Sequence, residues 1–176
     1  MKSVRLSLAI GFMGLALAAC DTTSAVMWSS KDLITRIFRS PDVNLNEKSI
    51  AAADYIVPQI KTYIKRTDVI STTPLTLAKE SAATSEFGRV VPAQIAERLR
   101  ALGYTVIMPD ENGVSPTGKF VIGGTYDRDS RDTFVNLRIT NTETGQVVGS
   151  FDYNMPSTSE IKKLSNPEAR IMRLEE

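Results

Sequence analysis

Apolar side chains recur at helical spacing along residues 46–66 and predict the first long helix of the chain. Asn46 is the expected N-cap of this helix, and Pro58 predicts a kink or a break just before itself. The same spacing over residues 86–102 predicts a second long helix. The helical pattern thus indicates two main helices.

Runs rich in β-branched and apolar residues, partly alternating with polar ones, predict strands in much of the remaining chain. Residues 70–77 and 104–108 are predicted strands, and residues 80–85 a polar loop in which Ser85 or Thr84 can cap the second helix. Three more strands with short connections predict an antiparallel meander: residues 120–126, 133–141 and 146–154. The predicted fold class is α/β (α+β), with two main helices packed on a mixed sheet that ends in this three-stranded antiparallel meander.

The N-terminal residues have the pattern of a lipoprotein signal peptide. Lys2 and Arg5 precede an apolar run that ends in small residues, and Cys20 follows directly. As a helix, the run of about 14 apolar residues would reach about 21 Å, which is too short to cross a bilayer. We therefore expect cleavage of residues 1–19 and lipidation of the Cys20 thiol, which would anchor the protein outside the cytoplasm.

The rest of the chain divides into a tether, a domain and a tail. Residues 20–45 are the expected tether, and their amphipathic stretch at residues 31–39 either lies on the membrane or, the favoured alternative, packs on the domain. The α/β domain is expected at residues 46–156. Residues 157–176 are expected to be a charged, loosely ordered tail, with a short helix around residues 167–174.

The composition excludes several classes of function. The chain has 21 Lys and Arg residues against 20 Asp and Glu, and loss of Lys2 and Arg5 with the signal peptide would leave no basic excess for nucleic acid binding. It has no histidine, which excludes Ser–His–Asp and Cys–His catalysis and histidine-ligated zinc. Cys20 is the sole cysteine, so no intramolecular disulfide can form. We expect a non-enzymatic protein without a cofactor, although carboxylate-based hydrolysis is not excluded by composition.

The charged residues 127–132 resemble a calcium loop only superficially. The calcium loop of an EF-hand has an oxygen ligand and a glycine at the positions that Arg131 and Asp132 occupy here, so we predict no metal site. We expect a hairpin tip with solvated charges, in which Asp127, Arg128 and Arg131 are candidates for contact with a partner.

A second candidate surface lies on the middle strand of the meander. Asn136, Arg138 and Thr140 share one face of that strand, because alternate side chains of a strand point the same way. Asn136 and Arg138 are therefore candidate partner-binding residues. A sheet face that is merely solvated would have the same pattern.

From residue 72 onward the sequence resembles the FlgO domain of bacterial lipoproteins associated with the flagellar outer ring. The segments that carry the resemblance, together with the helix at 51–55, are residues 72–76, 85–89, 99–106, 123–126, 135–139, 144–148 and 153–156. The resemblance implies an α/β domain and a role in flagellar assembly or motility, and it brings no catalytic residues. It adds Arg89 as a candidate for contact with a partner or for an internal ion pair, while Pro92 departs from the family pattern.

We therefore expect a membrane-anchored lipoprotein that supports a cell-envelope assembly, with stability of the flagellar basal body and outer ring as the leading hypothesis. The alternative is a periplasmic regulatory lipoprotein that docks on and activates an envelope enzyme such as a peptidoglycan synthase. The expected partners are the membrane, through the lipid, and an envelope protein assembly, with self-association left open. The domain would face the periplasm or the cell surface. The outer membrane is slightly favoured, although Asp21 after the acylated cysteine would favour the inner membrane in enteric bacteria.

Overall fold

The computed structural model describes residues 34–109 and 117–166, without the side chains of residues 80–83. The expected signal peptide, Cys20 and the first part of the tether lie outside these residues, as does the helix expected around residues 167–174. Within the described ranges, no helix is both long enough and apolar enough to cross a membrane.

The described chain contains two helices, then three strands, a third helix, four strands and a last helix. The helices are α1 (34–39), α2 (Leu45–Ile60), α3 (Glu86–Ala101) and α4 (Ser159–Leu164). The strands are β1 (Val69–Thr72), β2 (Thr76–Leu77), β3 (Glu80–Thr84), β4 (Thr105–Ile107), β5 (Phe120–Arg128), β6 (Asp132–Asn141) and β7 (Val147–Pro156).

Strand β5 lies at the centre of a mixed sheet. Along one edge it pairs antiparallel with β6 over its whole length, and β6 pairs antiparallel with β7. Along the other edge β1 and β2 follow one another, and both run parallel to β5. The sheet continues with β4 beside β1 and with β3 beside β2. These pairings confirm the predicted α/β (α+β) class, the mixed sheet and the C-terminal meander.

The hydrophobic core lies between the sheet and the helices, which pack on one of its faces. Ile122 of β5 and Leu137 of β6 are fully buried, as are Ile56 of α2 and Ile95 of α3. Residues alternate between buried and more exposed positions along β6, as predicted for its two faces. Each large apolar side chain buried in this layer contributes about 1.5–3 kcal/mol, so the one-sided packing accounts for much of the stability.

Helix α2 begins earlier and ends earlier than predicted. Its N-cap is Asn44, whose Oδ1 accepts the Glu47 backbone N–H at 2.9 Å, and not Asn46. Leu45 is already buried at 3% exposure, so the core contact extends the first turn toward the N-terminus. Pro58 lies inside the helix only two residues before its end, where the missing N–H costs one helical hydrogen bond.

The predicted strand at residues 70–77 is two strands with a break around Pro74. The break is held by Leu75, which is fully buried and donates its backbone N–H to the Gly88 carbonyl oxygen at 2.8 Å. The predicted loop at residues 80–85 is wrong, because residues 80–84 form β3. The small polar residues there show no strand periodicity, and the strand exists because β2 supplies an antiparallel partner.

The segment at residues 31–39, expected either on the membrane or on the domain, packs on the domain where it is described. Phe38 of α1 is 3% exposed and contacts the rings of Phe151 and Tyr153, with centroid distances of 5.3 and 4.5 Å. Arg39 forms an ion pair with Asp132 at 3.5 Å. The described end of the tether is therefore part of the domain.

The ordered structure also continues past Pro156, which corrects the expected start of a loose tail at residue 157. Helix α4 is capped by Thr158 and buries Ile161 at 2% exposure. The Tyr126 hydroxyl lies 2.7 Å from Ser85 Oγ and 3.3 Å from the Ser165 carbonyl oxygen. These buried contacts join the segment after the meander to β5 and to the cap of α3.

A buried lysine connects the end of α1 to α2. Lys48 is fully buried, and its Nζ donates to the Ser40 carbonyl oxygen at 2.9 Å. Desolvation lowers the pKa of Lys48 below its usual value, and the negative charge of Glu160 partly opposes this shift. The folded state therefore binds the Lys48 proton less tightly than the unfolded state does.

We expect stability to rise with pH through the window between the lowered folded pKa of Lys48 and its unfolded pKa near 10.5. In that window the unfolded state carries more protons, so each step up in pH favours folding. In Lys48→Met this contribution is absent. Between pH 7 and pH 10, the free energy of unfolding measured in urea should rise more, or fall less, in the wild type than in the variant. Parallel pH profiles would contradict this account of the buried amine.

Gly88→Ala should destabilise the fold by about 1–3 kcal/mol, because a methyl group in a filled space forces the backbone to shift. A Cβ at residue 88 would overlap the carbonyl oxygen of Leu75 in the break between β1 and β2. The measurement is the free energy of unfolding in urea. Ala101→Ser, at an exposed position of the same helix, should change it by less than about 0.5 kcal/mol.

Candidate partner-binding surface

The face of the meander opposite the helices carries mostly polar side chains. The strand registers arrange them in three rows across β5, β6 and β7: Asp127–Phe134–Asn154, Thr125–Asn136–Asp152 and Gly123–Arg138–Ser150. We call these residues the outer face. Val135 and Leu137 alternate with them on β6 and are buried toward the helices. Within the described residues, the helices therefore pack on one side of the meander and do not cover the outer face.

A shallow groove of about 410 Å³ crosses the first two rows of the outer face. Phe134 lies in its lining with 46% of its surface exposed, and Ala78 from the turn between β2 and β3 lies at its rim. Aromatic side chains are enriched among the residues that contribute most to binding at protein interfaces. Phe134 is therefore the apolar centre of the candidate surface.

A chain of hydrogen bonds on the outer face runs along β6 and then across to β7. Arg138 donates its Nε–H to Asn136 Oδ1 at 2.8 Å, and Asn136 in turn donates its Nδ2–H to Asp152 Oδ1. Because the amide of Asn136 both accepts and donates, its orientation is set by the two charged neighbours. The arrangement holds a guanidinium and a carboxylate at the surface in a definite geometry.

The hairpin tip between β5 and β6 is organised by Asp129, a residue that the sequence did not single out. Its Oδ1 accepts the backbone N–H groups of Arg131 and Asp132, both at 2.7 Å. These two hydrogen bonds lower the pKa of Asp129. The carboxylate therefore stabilises the turn. The sequence signal for it is an Asp at the first position of a tight turn, where its side chain can accept the backbone N–H two residues further on.

The candidates from the tip and from α3 do not all reach the outer face. Asp127 lies on it and forms an exposed ion pair with Lys79 at 3.4 Å. Arg128 points the other way, toward α4, as the strand alternation requires. Arg131 is exposed at the tip, and Arg89 lies on α3 on the helical side of the sheet. The structure therefore brings together Asp127, Asn136 and Arg138, and leaves the three other arginines elsewhere.

Sequence reasoning did not identify the remaining members of the outer face as site residues. Thr125, Asp152 and Asn154 come from the strands that flank β6. The alternation of side chains within each strand is visible in the sequence, but the positions of Thr125 and Asp152 opposite Asn136, and of Asn154 opposite Phe134, depend on the registers of both strand pairs. Those registers are a property of the assembled sheet.

Comparison with known proteins agrees with the family resemblance. The family described as FlgO protein matches residues 114–160 of this chain, which contain β5, β6, β7 and the start of α4. This match confirms the resemblance to FlgO over the segment that forms the outer face, and it supports a protein of the cell envelope. No curated protein matches the chain significantly.

Among solved structures, the C-terminal domain of LpoB from Salmonella enterica is similar to part of the chain. The TM-score is 0.39 and the sequence identity 11%, with 58% of this chain and 96% of that chain covered. A likeness at this level carries no conclusion about the function of the present protein.

Arg128 and Arg131 should respond differently to replacement by alanine. Arg128 donates to the Lys162 carbonyl oxygen at 3.3 Å and to Asn166 Oδ1 at 3.1 Å, so Arg128→Ala should cost about 1–2 kcal/mol of stability. Arg131→Ala, at the exposed tip, should change stability by less than about 0.5 kcal/mol. Urea unfolding of both variants measures the difference. Equal stabilities would show that the Arg128 contacts contribute nothing to the fold.

Proposed function

We propose that this protein is a non-enzymatic lipoprotein, anchored through the Cys20 lipid, that supports the flagellar basal body and its outer ring. The observation that carries the proposal is the position of the FlgO match. It covers residues 114–160, and the outer face lies entirely within this segment. The part of the chain that resembles FlgO is thus also the part that presents a surface to a partner.

The geometry of the outer face favours binding over catalysis. Its carboxylates engage neighbouring side chains, Asp127 through the ion pair with Lys79 and Asp152 through the hydrogen bond from Asn136. The exposed ring of Phe134 provides apolar contact area, and Arg138 provides a cation at the centre of the third row. An aromatic ring with polar groups around it is a common composition of a protein-binding surface.

The lipid would hold the domain close to a membrane. At about 3.3–3.6 Å per residue, the 14 residues from Cys20 to residue 33 extend at most about 50 Å from the anchor. Since α1 packs on the domain, residues from 34 onward add no length to this reach. We propose a position on the outer membrane facing the periplasm or the cell surface. Membrane fractionation of the lipidated protein tests this placement.

Deletion of the gene should reduce swimming motility and remove or destabilise the outer ring in images of isolated basal bodies. The wild-type gene should restore both, whereas Phe134→Ser combined with Arg138→Glu should not, because the outer face loses its ring and reverses its central charge. Tyr63→Ser, which removes an exposed aromatic ring of 53% exposure outside the outer face, is the matched control and should restore motility. Immunoblots of the membrane fraction verify equal amounts of each variant.

Unchanged motility and unchanged basal bodies in the deletion strain would contradict the flagellar role. Altered cell shape together with recovery of a peptidoglycan synthase by crosslinking through the outer face would instead favour the alternative role, activation of an envelope enzyme.

A further inference from the structure

Strand β7 forms one edge of the sheet in the described chain, and β6 is its partner on the inner side. In an antiparallel pair, alternate residues direct their backbone N–H and C=O groups toward the partner strand or away from it. Ser150 directs both groups away from β6, because both are bonded to a side chain of α2. By the two-residue period of a strand, Asp152 and Asn154 also direct their backbone groups outward.

The two ends of this edge are already occupied. At one end the side-chain amide of Gln59 donates to the Ser150 carbonyl oxygen and accepts its backbone N–H, both at 3.1 Å. This pair of bonds is the same pair that a residue of a neighbouring strand would make. At the other end Pro156 has no N–H, and its carbonyl oxygen accepts the Thr158 N–H at 2.9 Å.

Between these ends the edge has a window at Asp152 and Asn154. No described residue outside the strand hydrogen-bonds to their outward backbone groups, and a groove of about 350 Å³ runs beside them between β7 and α1. The groove is lined on the helical side by Ile34, Phe38, Tyr55 and Phe151. An exposed edge next to a groove with apolar side chains on one side is an arrangement that can accept an added strand.

The charges near the window indicate the character of that strand. The side chains of Asp152 and Asn154 lie on the outer face, and the Asp152 carboxylate accepts a hydrogen bond from the uncharged amide of Asn136. Arg39, the cation in the lining of the groove, is paired with Asp132 at 3.5 Å. A basic side chain on the incoming strand would therefore be attracted to Asp152.

We propose that the β7 edge at residues 152–154 binds an extended basic and apolar segment of a partner protein by strand addition. Alternate side chains of an added strand point to opposite faces of the sheet. The apolar ones would enter the groove beside Phe38 and Tyr55, and the basic ones would lie next to Asp152 on the outer face. The proposal assumes the proposed function only in treating the protein as a binding module.

Binding of synthetic peptides to the full chain, purified in detergent, tests this site. A fluorescent peptide of sequence Lys-Ile-Lys-Ile-Lys should bind, and the matched Glu-Ile-Glu-Ile-Glu peptide should bind more weakly. Asp152→Asn should weaken binding of the lysine peptide by about two- to fivefold, the effect of one exposed charge pair. Glu143→Gln, at the exposed turn between β6 and β7, is the control and should leave the affinity unchanged.

Strand addition is distinguished from simple charge attraction by methylation of the peptide backbone. Methylating the amides of the lysine residues blocks an antiparallel ladder, and methylating those of the isoleucine residues blocks a parallel one. One of these two methylated peptides should bind at least about fivefold more weakly than the unmethylated peptide, since two hydrogen bonds to the edge are lost. Bound peptide should also slow hydrogen exchange of the Asp152 and Asn154 amides.

Equal affinity for the lysine and glutamate peptides, or full binding by both methylated peptides, would overturn the proposal. A negative result in the peptide experiments would contradict only strand addition at the β7 edge, because the flagellar role is tested separately by motility and basal-body images. Conversely, peptide binding by the purified protein together with normal motility of the deletion strain would support the site and contradict the flagellar role.

Discussion

The structure depends on β5 being paired along both edges at once. One edge is bonded to β6 from Phe120 to Arg128, and the other holds β1 and then β2 in parallel. A buried strand must have its backbone groups paired, so the two short strands cannot be omitted without exposing the centre of the sheet. The break at Leu75 lets two strands share that edge, and its bond to Gly88 ties the break to α3.

One-sided helix packing follows from this sheet and creates the surface that we propose for function. The helices cover the face of Ile122 and Leu137, and the outer face with Phe134, Asn136 and Arg138 stays available. The same packing brings α1 against Phe151 and Tyr153, which places the groove next to the β7 edge. The outer face and the edge thus meet at Asp152 and Asn154, where one partner could contact both.

Prediction from the sequence succeeded where the local pattern was strong. The α3 helix, its Ser85 cap and the alternation along β6 follow from residues close together in the chain. Prediction was wrong where a distant partner supplies the hydrogen bonds or the burial, as for β3, which exists only beside β2, and for α4, whose Ile161 is buried in the core. Of the candidate site residues, Asn136 and Arg138 were placed on a common face, while the inward direction of Arg128 was not anticipated.

The sequence by itself determined the fold class, the existence of an open polar face on β6 and the expectation of a lipid anchor at Cys20. Each of these depends on spacing or residue type within one stretch of chain. Only the tertiary structure decided which residues stand beside Asn136, how Gln59 closes one end of the β7 edge, and where the window at Asp152 lies. Gln59 and Ser150 are 91 positions apart, and such a contact forms only when the helices pack on the sheet.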